Sequence, residues 1–169
     1  VPHDPAPRFE EMTAVLLDPP VWPGLKPHWP YVRAVDQAPT DRGIPAGIVR
    51  ADIALRPYYE TDRRDTIYVL LVWDVSRTGA WGGLRLSWDD ETGWSYAKLG
   101  PHAQDVLLEA PVTPLRRTFA APDDVAGIAD GLVRHWRTPE GEHAAEWERA
   151  PEVRKAIVAF HQDRGKRMS

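Results

Sequence analysis

Cysteine and asparagine are both missing from this chain, and no apolar run is long. Without cysteine there is no disulfide framework, no thiolate nucleophile and no Cys-ligated zinc site. The longest apolar run, Ile67 to Trp73, falls far short of the roughly 20 residues that cross a bilayer as a helix. The opening Val-Pro-His-Asp-Pro-Ala-Pro is polar and stiff, unlike the charged-then-apolar order of a signal peptide. Basic residues are overwhelmingly arginine, which together with the missing asparagine is the coding bias of a GC-rich genome. A net charge of −4 weighs against broad electrostatic attraction to nucleic acid. The expectation is a cytoplasmic protein with no membrane association and no cofactor.

What is present is aromatic and proline-rich. The chain has 169 residues with 8 tryptophans and 17 prolines, a single-domain length that buries roughly 70% of its unfolded surface. The most informative stretch is Thr66 to Leu99. Ile67 to Trp73 is β-branched and aromatic, too short for a buried helix, and reads as a central strand. Leu84, Leu86 and Trp88 then alternate with Arg85, Ser87 and Asp89, the period of a half-buried strand. Asp89 to Gly93 is a polar turn, and Trp94 to Leu99 runs back as the second arm of a hairpin.

Around this hairpin the other elements fall in order. Phe9, Met12 and Leu16 have helical spacing, ended by Asp18-Pro19-Pro20. Five prolines between 19 and 30, with Trp22 and Trp29 among them, predict an extended, polyproline-like strip. Pro30 opens a short helix through about Ala38, with a loop from Pro39 to Gly47. Val49, Ala51, Ile53 and Leu55 mark a strand with one wet face, and Val106 to Leu108 a short fifth strand. Pro122, followed by Asp123 and Asp124, starts the clearest helix, with Val125, Ile128, Ala129, Leu132, Val133 and Trp136 as its apolar stripe. Thr138-Pro139 begins another helical stretch, and Pro151 either kinks it or begins a last helix carrying Val153, Ile157 and Phe160 inward. The predicted class is α+β: an antiparallel sheet of four to five strands with helices on one face. The expected organisation is an N-terminal helix and Pro/Trp-rich arm at 1–30, a core domain at 31–137 and a C-terminal helical extension at 138–169.

The run Leu84-Arg-Leu-Ser-Trp-Asp-Asp-Glu-Thr-Gly-Trp94, with Tyr31-Val-Arg-Ala-Val35 and Ile53-Ala-Leu55 before it and Ala121-Pro-Asp-Asp-Val125 after it, resembles a known grouping. It is similar to a small α+β domain family of unknown function from GC-rich Gram-positive bacteria. That family is marked by a strand ending Leu-x-Trp-Asp-Glu-x-x-Gly-Trp and closed by a helix that begins after a proline. The likeness spans roughly residues 28 to 136; this chain differs by longer connections around Thr66 to Gly83 and an added C-terminal helix. It implies a fold and assigns no activity, cofactor or catalytic residue.

The candidate chemistry is sparse. Asp89, Asp90 and Glu91 lack the spacing of a calcium loop and read as turn residues. Gly93-Trp-Ser95-Tyr-Ala97 nearly matches a nucleophile elbow, but strands flank it on both sides. Gly79-Ala-Trp-Gly82-Gly83 lacks phosphate-binding spacing. Glu142, His143 and Glu146 share a predicted helical neighbourhood, without the matching sets that a di-metal bundle needs. Asp74, ending the apolar strand, is read as a solvated strand end. No catalytic or metal-ligating residue is assigned.

The first functional expectation is a non-enzymatic binding module that engages a protein partner, or a second copy of itself. Its surface would be rich in Trp, Tyr and Arg, the types that dominate interface energetics. The contact residues expected are Trp22, Trp29, Tyr31, Arg63, Arg64, Arg85, Tyr96, Arg116 and Arg117. The alternative is a nucleic-acid-binding or regulatory protein of a mobile-element assembly, with the arginines converging on one face and Tyr96 as a stacking platform. A third reading is a small-molecule enzyme using Asp74 or Asp89 as acid or base between sheet and helix.

Overall fold

The computed structural model describes residues 26–54, 65–79, 81–100 and 105–167. The predicted helix and Pro-rich arm before residue 26 lie outside them. Five strands form one antiparallel sheet in chain order: β1 (Ile48–Ala54), β2 (Thr66–Trp73), β3 (Gly83–Asp89), β4 (Gly93–Leu99) and β5 (Val106–Pro111). Three helices complete the α+β fold: α1 (Trp29–Asp41), α2 (Pro122–His135) and α3 (Ala150–Arg167).

Strict alternation divides the sheet into two faces. In the apolar run of β2, Ile67, Val69, Leu71 and Trp73 are buried while Tyr68, Leu70 and Val72 are half-exposed. The register carries this across the sheet, with Val69 opposite Trp88, Leu71 opposite Leu86 and Trp73 opposite Leu84. Trp88 in turn faces Trp94. These residues join Tyr31, Val32 and Val35 of α1, Val125, Ile128 and Leu132 of α2, and Val153 and Ile157 of α3 in one core. One face of the sheet therefore carries the helices. The other presents Arg50, Leu70, Val72, Arg85, Ser87 and Ser95.

The core is aromatic, and the polar atoms of Tyr31, Trp73, Trp88 and Trp94 are matched. Tyr31 is buried within 5.1–5.3 Å, ring to ring, of Trp88, Phe119 and Trp147. Its hydroxyl donates to the Ala120 carbonyl (2.8 Å) and accepts the Trp94 indole N–H (3.1 Å). Trp88 Nε1 donates to the Thr118 carbonyl at 2.6 Å and Trp73 Nε1 to the Ile44 carbonyl at 2.9 Å. An indole N–H taken from water needs such an acceptor.

Two local expectations change, and the open choice at Pro151 is resolved. α1 does not stop at Ala38: it continues through Pro39 to Asp41. Pro39 lies in the last turn, and the carbonyls there are taken up by Arg42, Gly43 and Ile44 N–H groups. Residues 138–149 are not helical. His143 N–H donates to Pro114 O and Trp147 N–H to Phe119 O, so the segment runs extended along the β5–α2 connection. Glu142, His143 and Glu146 therefore do not share a helical face. Pro151 sits at the start of α3 rather than kinking a longer helix.

Two buried ionisable groups carry opposite costs. His28, stacked on Trp88 and bonded through Nε2 to the Tyr68 carbonyl (3.0 Å), is held neutral by burial, its pKa lowered to about 4. Asp36 on α1 is buried with Oδ1 unpartnered, and burial raises its carboxyl to about 6. Below pH 6.5 the unfolded chain protonates His28 and the fold does not, so stability falls towards pH 4. Between about 6 and 3.8 the fold holds a proton on Asp36 that the unfolded chain has lost, so stability rises on acidification. Each effect is on the order of 3 kcal/mol, and they largely cancel.

Asp36→Asn is therefore expected to raise stability at pH 7 by about 2 kcal/mol and to unmask a steep loss between pH 6.5 and 4. Urea midpoints across that range check both signs; a flat profile in the variant would contradict the His28 account. Tyr31→Phe removes a donor to Ala120 and orphans the Trp94 N–H, and should cost about 1–3 kcal/mol with an unchanged denaturant slope.

Candidate functional site: the open edge of the sheet

A sheet ends in two strands with one side unpaired, and the two ends here are treated differently. On β1 the outward Ala51 carbonyl accepts Lys26 Nζ at 2.9 Å, and the outward Ile53 N–H donates to Asp52 Oδ1 at 2.8 Å. Side chains thus occupy two of the groups that an added strand would use. On β5 no such cap is found among the described residues. Val106, Leu107 and Leu108 are 47%, 66% and 44% exposed, so three consecutive aliphatic residues stand in solvent on an unpaired edge. A bulge where Leu99 follows Lys98 places Leu107 outside the β4–β5 register.

A stacked tryptophan pair adjoins this edge. Trp81, 53% exposed, lies over Trp136 with centroids 6.5 Å apart and planes 13° from parallel. Lys98 also meets the pair, its ammonium 5.1 Å from the Trp136 ring and bonded to the Trp136 carbonyl at 2.6 Å. Since Lys98 sits opposite Leu108 in the ladder, the pair and the β5 edge form one surface. Two backbone features hold it. Trp136 caps α2 in the left-handed region (φ 58), where an L side chain is strained by about 1–2 kcal/mol. Gly82 (φ +116) passes so close to Leu99 that a Cβ would come within 2.5 Å of its carbonyl oxygen.

The residues expected to form an interface are dispersed. Trp22, Arg63 and Arg64 lie outside the described residues. Trp29 packs half-buried on the core from the first turn of α1. Tyr31 is fully buried, so it organises the core and is not available to a partner. Arg85 and Tyr96 sit on opposite faces of the sheet, because Arg85 pairs with Ala97 and Tyr96 with Leu86. Tyr96 packs on the core side and cannot act as a platform for Arg85. Arg85 lies 3.9 Å from Glu109, and Arg116 pairs with Glu142 at 2.6 Å. Arg117 is exposed in the bend before α2.

Asp74 and Asp89 are turn-makers. Asp74 accepts the Arg77 N–H, and Asp89 accepts the N–H groups of Glu91 and Thr92 at 2.9 and 2.7 Å. Asp90 instead contacts His161 of α3 at 3.2 Å, while Arg164 reaches Asp65 at 2.8 Å, so a histidine–carboxylate contact and an ion pair tie α3 to the sheet. Among the described residues no group of three or more His, Asp or Glu could hold a metal ion, and no helix is long and apolar enough to cross a membrane. A cleft of about 260 Å³ at the end of α2 is lined by His135, Arg137 and Glu140 among others.

Comparison with protein-family models, curated proteins and solved structures returned no match. Sequence reasoning passed over Trp81, Trp136 and Leu107 as contact residues. The available signal was Val106-Leu107-Leu108 itself: in a meander the last strand is an edge, and three successive apolar residues there cannot all face inward.

Trp136→Gly should be more stable than Trp136→Ala by about 1 kcal/mol, since both lose the ring but only glycine adopts φ 58 without strain. Equilibrium urea unfolding of the two variants gives the difference. An alanine variant equal to or better than the glycine one would show that the left-handed cap carries no strain.

Proposed function

We propose that this protein is a cytoplasmic protein-interaction module whose contact surface is the outer edge of β5 together with Trp81 and Trp136. The observation that carries the reading is the asymmetry of the edges: Lys26 and Asp52 occupy two exposed backbone groups of β1, whereas no described side chain caps the outward peptide groups of β5 beside Val106, Leu107 and Leu108. Strand addition supplies affinity through main-chain hydrogen bonds, and flanking side chains supply specificity. Trp81 offers the rigid, half-exposed aromatic surface that such contacts favour. The arginines support a protein contact over a nucleic-acid one. Among the described residues, Arg85, Arg116 and Arg164 stand apart in the fold, each with a carboxylate as neighbour, and make no common basic track.

A photo-crosslinking phenylalanine analogue replacing Leu107 or Trp81 should capture protein several-fold more efficiently in cells than the same group replacing Lys155 on the exposed side of α3. Equal yields at all three positions would remove the reading.

A further inference from the structure

We infer that the occupant of the β5 edge is a second copy of this chain, paired antiparallel through β5 about a two-fold axis to give one continuous sheet of ten strands. This rests on the reading of β5 as a contact edge and names its partner. Four observations support it.

The first is the direction of the peptide groups. Val112 N–H donates to Trp94 O, and register steps of two make Ala110 and Leu108 the residues that bond to β4, which turns the N–H and C=O of Glu109 outward. Beyond the bulge, Asp105 O accepts the Gly100 N–H, which turns Val106 outward in the same way. Two outward residues, Val106 and Glu109, thus flank Leu107 and Leu108. The second is that this arrangement is its own complement. A two-fold axis passing between Leu107 and Leu108 sets Val106 of each copy against Glu109 of the other, so the outward groups meet outward groups.

The third is that faces and charges agree in that register. Val106 pairs with Leu99 and Glu109 with Ala97, so both belong to the face away from the helices. The pairing sets Leu107 against Leu108, Glu109 against Val106 and Asp105 against Ala110, and no carboxylate opposes another. Glu109 also keeps its neighbour Arg85. The fourth is selectivity within the molecule: at the β1 edge the Ala51 carbonyl and the Ile53 N–H already hold side chains, which disfavours that edge and leaves β5 to pair with β5. A six-residue strand buries less than the roughly 1,200 Å² typical of stable interfaces, so the dimer is weak and forms at high concentration.

Sedimentation velocity of the full chain from low micromolar to millimolar concentration tests this. The weight-average mass should rise towards twice that of the monomer. Leu107→Lys, a change at the most exposed residue of the edge, should remain monomeric throughout with an unaltered circular-dichroism spectrum. Mixing Leu107→Lys with Leu108→Glu should restore a heterodimer, because the register brings those two positions together. A wild-type chain that stays monomeric at millimolar concentration overturns self-pairing, as does a dimer that survives Leu107→Lys. If the chain is monomeric yet a crosslinker at 107 captures a different protein, β5 remains the contact edge and only the second copy is ruled out. If neither occurs, both readings fall.

Discussion

An indole can be buried only where its N–H finds an acceptor, and that constraint shapes this fold. Trp73, Trp88 and Trp94 all point from the sheet into the core, and each reaches a group outside the sheet: the Ile44 carbonyl, the Thr118 carbonyl and the Tyr31 hydroxyl. The segments that supply those acceptors are thereby fixed in place. Ile44 follows α1, Thr118 precedes α2, and Tyr31 lies on α1 with its own proton on Ala120. Apolar burial drives the layers together without direction; these bonds select one way of laying the helices on the sheet.

With all three helices on one face, groups drawn into that core lose water, whatever their charge. His28 and Asp36 show the two signs of the same penalty. One is a base that cannot take up a proton, the other an acid that is reluctant to release one. Because their windows overlap, they oppose each other in the pH dependence of folding. At the far end of α3 the situation differs. Few core contacts remain there, and His161 and Arg164 hold the helix through carboxylates of the turns below.

Much of the sheet was legible because a period of two is unambiguous when large and small polarity alternate, as they do from Leu84 to Asp89. The start of α2 was legible from Pro122 and two aspartates, whereas its end was not: Trp136 occupies a left-handed cap that composition assigns to glycine. Pro39 misled because proline is disfavoured in a helix interior but tolerable where the following carbonyls find other donors. The segment 138–149 misled because Glu142, His143 and Glu146 match a helical spacing while long-range backbone bonds hold them extended. Which aromatic residues stay exposed was the least readable part. Tyr31 and Tyr96 carry the composition of interface residues, yet register and packing place both on the core side; exposure is a tertiary property.

The Lys26 ammonium on the Ala51 carbonyl has a meaning beyond its own bond. A sheet with one bare margin can join a single neighbour and is then complete, which keeps association closed and finite. A sheet bare at both margins has no such end point, and each joining leaves a new place to join. The Lys26 ammonium and the Asp52 carboxylate each take up one outward backbone group of β1, so the two margins of this sheet are not equivalent.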